Sequence, residues 1–158
     1  MGQLSKSRCN GFTLIELVMV VVIIGIIGAI AIPRIVRGSS SAGAAALESD
    51  LAALRNAIDR YWAEHDSTYP STEKISEQLT QFSDSLGNPM KSRTDRYIFG
   101  PYLVQIPPLP VGLMKGNRGI AESPGPGIGW IYNPKTGQLR ANTGMAEVDE
   151  RAFRFDKY

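Results

Sequence analysis

The chain has 158 residues, of which 43% are hydrophobic, 20% charged and 8% aromatic, and its formal net charge is +2. This length fits one domain of ordinary size. The composition excludes a disordered tail, a collagen-like repeat and, because there is a single cysteine, a disulfide scaffold. The near-neutral charge argues against a dedicated nucleic-acid-binding protein, which usually gathers lysine and arginine into a patch.

The hydrophobic residues concentrate near the N-terminus. Residues 1–11 form a short polar segment that contains Lys6 and Arg8 and no acidic side chain. Residues 12–32 are almost entirely apolar. As a helix they would extend about 31 Å, at about 1.5 Å per residue, which matches the hydrocarbon thickness of a bilayer, about 30 Å. We therefore expect residues 12–32 to span a membrane; a cleaved signal peptide fits less well, because the apolar run is too long.

One acidic side chain, Glu16, lies inside this apolar run. A charged side chain in the bilayer costs on the order of 2.5–3.5 kcal/mol on insertion scales, so it is expected to have a partner. No lysine or arginine lies at helical spacing within the run. A cut between Gly11 and Phe12 would create a cation close by, the new α-amine, with a reference pKa of about 8. The alternative is that Glu16 simply extends to the lipid headgroups.

The next segment, residues 33–65, is predicted to continue as an amphipathic helix that enters a small head. Its apolar residues recur at steps of three and four, which is the spacing of one helix face. This stripe consists of Leu47, Leu51, Leu54, Ile58 and either Tyr61 or Trp62.

Residues 66–158 contain many glycines and prolines and predict a head of short strands and loops. Ser71 is expected to cap a short helix with Ile75, Leu79 and Phe82 on one face. The clearest hairpin consists of residues 128–132 and 138–141 around a five-residue turn that ends in glycine. We expect three or four antiparallel strands against the long helix, which gives an α+β fold.

The segment Gly11-Phe12-Thr13-Leu14-Ile15-Glu16, with a basic leader before it and Pro33 after the apolar run, resembles the processing site of type IV pilins and type II secretion pseudopilins. The strings Tyr69-Pro70-Ser71 and Gly100-Pro101-Tyr102-Leu103 are similar to those of the major pseudopilins. The resemblance implies that a prepilin peptidase cuts after Gly11 and that Phe12 becomes the N-methylated terminus. It further implies that Glu16 pairs with the Phe12 amine of a neighbouring subunit.

The family implies a pilin-like fold in which residues 12–32 first span the bacterial inner membrane, among its lipids, with the head in the periplasm. The function implied is structural and not enzymatic: the subunits form a pseudopilus filament that drives protein export across the outer membrane. Its partners would be further copies of the chain, prepilin peptidase, other pseudopilins and the inner-membrane assembly platform, and no nucleic acid. Two alternatives remain open: a surface type IV pilin for adhesion, motility or DNA uptake, and an uncleaved single-pass protein whose head binds a soluble partner.

No cofactor is expected, although calcium remains open because major pseudopilins bind it in a C-terminal loop. Calcium requires six to eight oxygen ligands, and Leu109 stands where the family usually has an aspartate. Three acids near the end, Glu147, Asp149 and Glu150, fit a solvated surface equally well, so no calcium ligand is assigned. The single histidine, His65, is interpreted as a solvated side chain at the end of the helix.

Overall fold

A computed structural model describes residues 12–149 and 152–158, without the side chains of residues 30–40. The predicted leader, residues 1–11, lies outside the described residues. The chain divides into two compact units, residues 1–38 and 39–158. In chain order the elements are α1 (Leu14–Glu64), α2 (Ile75–Thr80), β1 (Phe82–Ser83), β2 (Pro89–Met90), β3 (Gly119–Ala121), β4 (Ile128–Tyr132), β5 (Leu139–Ala141) and a 3-10 helix (Phe155–Lys157).

In the first unit, the described residues form the beginning of α1. Every large apolar side chain from Leu14 to Ile27 is at least 43% exposed. Within the described residues, no helix has the length and apolarity needed to cross a membrane. The last part of the predicted span, residues 30–32, falls among the residues whose side chains are not described.

In the second unit, the end of α1 contributes one buried stripe to the core. Its apolar members are at most 2% exposed, whereas Trp62 is 38% exposed. The predicted stripe is therefore confirmed, with Tyr61 as its last member. The buried residues of the stripe are Leu47, Leu51, Leu54, Ile58 and Tyr61.

The sheet of the second unit has the order β3-β4-β5 and is mixed. The predicted hairpin is confirmed, because β4 and β5 pair antiparallel with Trp130 opposite Ala141. The prediction of a purely antiparallel sheet is wrong, because β3 pairs parallel to β4. β3 has only three residues, so the six residues between β3 and β4 are enough to carry the chain back to the start of a parallel strand. An extended residue reaches about 3.3 Å.

A second, two-stranded sheet pairs β1 with β2 in antiparallel fashion. The preceding helix α2 buries Ile75 and Leu79 as predicted. The prediction that Phe82 shares this helix face is wrong, because α2 ends at Thr80 and Phe82 begins β1.

The predicted cap is wrong: Lys74 occupies the N-cap position and makes no side-chain cap. Ser71 instead accepts a hydrogen bond from the Lys74 N–H at 3.1 Å through its carbonyl oxygen, and donates its own N–H to Gln78 Oε1 at 2.9 Å.

His65 follows α1 directly and is only 4% exposed, so the prediction of a solvated side chain is wrong. Its ring stacks on Tyr61 with the centroids 3.8 Å apart. Nδ1 lies 2.9 Å from the Tyr61 carbonyl oxygen, and Nε2 lies 3.0 Å from Ser83 Oγ. The β1–β2 hairpin, through Ser83 and Asp84, supplies the partners of Nε2.

Asp84 closes the turn between β1 and β2. Its Oδ1 accepts the backbone N–H groups of Leu86 at 3.1 Å and Asn88 at 2.9 Å, and its Oδ2 lies 3.0 Å from the Arg96 guanidinium. Burial opposes ionisation, but the hydrogen bonds from Asn88, Leu86 and Arg96 outweigh it and hold the pKa of Asp84 below its ordinary value.

The core stripe yields a stability prediction. Because Leu54 is fully buried, Leu54→Ala should lower the free energy of unfolding by about 2–5 kcal/mol. Denaturant unfolding of the full chain in detergent micelles measures this change. The same substitution at the 80% exposed Leu86 should change the free energy by no more than about 0.5 kcal/mol. Equal effects at the two positions would contradict the burial pattern.

The Asp84 turn yields a pH prediction. A carboxyl whose pKa is lower in the folded chain stabilises the fold above its unfolded pKa, about 3.9, and this contribution is lost as the pH falls through the folded pKa. The Tm difference between wild type and Asp84→Asn should therefore be largest at neutral pH and shrink below about pH 4. Thermal unfolding across that pH range measures it, with Asp95→Asn on the exposed loop as control. A Tm difference between wild type and Asp84→Asn that does not change with pH would contradict this role of the ionised Asp84.

Candidate functional site

Thr13 binds the carboxylate of Glu16 at the start of α1. Glu16 Oε2 accepts the backbone N–H of Thr13 at 2.8 Å and the Thr13 hydroxyl at 2.7 Å. The Thr13 hydroxyl in turn accepts the backbone N–H of Glu16 at 3.3 Å. Because α1 begins at Leu14, Thr13 is the N-cap and Glu16 the third helical residue. The arrangement is a capping box, in which the first turn of a helix satisfies its own free N–H groups.

The sequence contained the signal for this contact. A threonine followed three residues later by a glutamate is the pattern of a capping box. The partners expected for Glu16 from the apolar run, a cation or the lipid headgroups, both lie outside its own helix. The capping donors are neutral, so they leave the negative charge of Glu16 uncompensated. In an apolar medium, a cation from elsewhere would therefore still lower the free energy of this carboxylate.

Phe12 precedes the capping box and is 84% exposed. Its backbone nitrogen is the atom that cleavage after Gly11 would turn into an α-amine. The structure brings Thr13 and Glu16 together, with Phe12 next to Thr13 in the chain. Gly11 lies outside the described residues, so the structure does not describe the bond that would be cut.

Comparison with known proteins addresses this same segment. The family described as the prokaryotic N-terminal methylation motif matches residues 6–32. That range includes Gly11, Phe12 and Glu16 and ends where the predicted apolar run ends.

Longer similarities extend into the second unit. The type II secretion system core protein G of Vibrio cholerae serotype O1 is 32% identical over 118 residues, which cover 72% of this chain and 76% of that protein. The protein of the same name from Pseudomonas aeruginosa is 31% identical over 109 residues, or 69% of this chain and 72% of that protein. The chain belongs to the type II secretion system core protein G family. The relative from Aeromonas hydrophila is 33% identical over 95 residues, which cover 60% of this chain and 66% of that protein.

No solved structure matches the chain. Membership of the core protein G family confirms the prediction of a major pseudopilin, which is a structural and non-enzymatic protein. The cleavage after Gly11, the methylation of Phe12 and the assembly role of Glu16 stay predictions.

The capping box yields a prediction for Thr13. Thr13→Ala removes the hydroxyl that accepts the Glu16 N–H, and the loss of such a cap costs about 1 kcal/mol. The Glu16 amide should therefore exchange with solvent about fivefold faster, as measured by NMR on the full chain in detergent micelles. Thr13→Ser keeps the hydroxyl and should exchange like the wild type. Equal rates in the alanine variant and the wild type would show that the box does not form in micelles.

Proposed function

We propose that this core protein G is made with residues 1–11 as a leader, is cut after Gly11, and assembles from the inner membrane into a periplasmic filament. Growth of this filament would act as a piston that moves folded proteins through an outer-membrane channel. The observation that carries the proposal is the exposed apolar start of α1, which lies within the matched methylation motif and contains one carboxylate, that of Glu16.

The exposed apolar surface supports assembly. Large apolar side chains lie on every side of α1 from Leu14 to Ile27 and are all exposed in the isolated chain. Burial of apolar surface contributes about 25 cal/mol per Å². A helix with apolar residues all round needs either lipid or other helices around it. Lipid fills this role before assembly, and the same helices of neighbouring subunits fill it in the filament.

Glu16 supports a fixed register between subunits. The capping box leaves its charge uncompensated, and the methylated amine of Phe12 in a neighbouring subunit would remain cationic. A buried ion pair of this kind adds little net stability, because both charges lose their hydration, but it distinguishes one register from another. One repeated head-to-tail contact that does not close on itself produces a helical filament.

The test is a comparison of secreted proteins in a strain that lacks this gene, complemented with wild type or with Glu16→Ala. Wild type should restore export. Glu16→Ala should be processed normally yet export at least tenfold less protein. The substitution would leave the neighbouring Phe12 amine uncompensated in an apolar core, which costs more than the free energy of about 1.4 kcal/mol that corresponds to a tenfold change. Mass spectrometry of the mature chain should show N-methylated Phe12 as the first residue in both.

The matched control is Glu122→Ala, which removes an exposed carboxylate from the head and should export like wild type. A chain that retains Met1 would contradict the proposed processing. Unchanged secretion in the deletion strain, together with loss of surface filaments or of twitching, would contradict the export role and indicate a type IV pilin. Full export by Glu16→Ala would contradict the register argument alone.

A further inference from the structure

Glu147 joins two loops of the second unit that lie far apart in the sequence. The first loop, residues 109–117, precedes β3, and the second loop, residues 142–149, follows β5. Oε1 of Glu147 accepts the backbone N–H of Leu113 at 2.6 Å. Oε2 accepts the backbone N–H of Gly144 at 2.5 Å. One carboxylate therefore connects both loops through their main chains.

A glycine in the first loop makes room for this carboxylate. Gly112 has φ of +75°, and a Cβ atom added there would lie 2.8 Å from Oε2 of Glu147. A residue with a Cβ atom would be strained at this φ, and the Glu147 carboxylate would have to shift from its position. The loop conformation and the position of the carboxylate thus depend on each other.

Several carbonyl oxygens of the first loop accept hydrogen bonds from the loop itself. The Leu109 carbonyl oxygen accepts the Gly116 N–H at 2.8 Å, and the Leu109 N–H donates to the Asn117 carbonyl oxygen at 2.9 Å. The Gly112 carbonyl oxygen accepts the Lys115 N–H at 3.2 Å. The side chain of Leu109 is fully buried in the core. The loop is closed by hydrogen bonds within itself.

These atoms do not fit the calcium ion that the resemblance to major pseudopilins implies. Calcium needs six to eight oxygen ligands, but both oxygens of Glu147 face N–H groups, whose hydrogens would repel a cation. Asp149 accepts the Phe153 N–H at 2.9 Å and the Tyr158 hydroxyl at 2.6 Å. Over residues 12–149 and 152–158, no group of three acidic, cysteine or histidine side chains is arranged to hold a metal ion; Glu150 lies outside the described residues.

We propose that Glu147 does by hydrogen bonding what a calcium ion would do at this position, so that the head of this chain folds and stays folded without calcium. The Glu147 carboxylate is the negatively charged acceptor, and the backbone N–H groups of Leu113 and Gly144 are the donors. Hydrogen bonds between an ionised carboxylate and N–H groups are stronger than those between neutral groups. A single side chain thereby holds the two loops together.

The experiment compares thermal unfolding of the full chain in detergent micelles, in excess EGTA and in millimolar calcium chloride. The wild type should have the same Tm in both solutions. Glu147→Gln keeps the size of the side chain but removes the charge and one acceptor, and should lower the Tm by about 4 °C or more in both solutions alike. Hydrogen exchange at the Leu113 and Gly144 amides should rise in this variant.

Glu73→Gln is the matched control, because it changes an exposed acid outside the two loops, and its Tm should equal that of the wild type. A wild-type Tm that rises with calcium, or stoichiometric calcium binding in a calorimetric titration, would overturn the proposal. Unchanged exchange at Leu113 in Glu147→Gln would also overturn it. If Glu147→Gln does not fold, the wild-type comparison in EGTA and calcium decides the question by itself.

Discussion

The second unit depends on the burial of one stripe of α1 against a very small sheet. β3, β4 and β5 contain three to five residues each, and a sheet of this size is marginal without a packed layer on one face. The stripe supplies that layer. Arg55 on the same helix donates hydrogen bonds to the carbonyl oxygens of Leu139 at 3.1 Å and Tyr158 at 2.7 Å. Through Arg55, the helix therefore contacts both the sheet and the C-terminal residues.

α1 carries two apolar surfaces that suit different surroundings. Around Leu51 only one face is apolar and it is buried, whereas around Val21 all faces are apolar and exposed. The second pattern needs an apolar medium, and Glu16 at its start is the side chain that such a medium penalises. The capping box satisfies its hydrogen bonds without neutralising it. In the proposed filament, the neighbouring amine would meet a carboxylate that Thr13 already orients, so that its side chain has less freedom to lose on pairing.

The sequence was informative where structure follows from local patterns. The stripe that includes Leu54 has helical periodicity, and the β4–β5 hairpin has its turn glycine, Gly137, at φ of +71°. The parallel pairing of β3 was not predictable, because a three-residue strand between loops lacks a periodic signal. The burial of His65 was not predictable, because Ser83 and Asp84, which contact its Nε2 atom, come from a hairpin later in the chain. The contact of Glu147 was not predictable, because its partner Leu113 lies 34 residues away and no local pattern connects them.

Carboxylates close the irregular parts of the head. Residues 39–158 contain no cysteine, so disulfides cannot restrain the long loops between the short strands. Asp84 instead binds two backbone N–H groups in the β1–β2 turn, and Glu147 binds two more across the later loops. The closure at Asp84 requires the ionised acid, because a protonated carboxyl attracts N–H donors less strongly. Acid should therefore loosen the β1–β2 turn, where hydrogen bonds hold the pKa of Asp84 below its ordinary value.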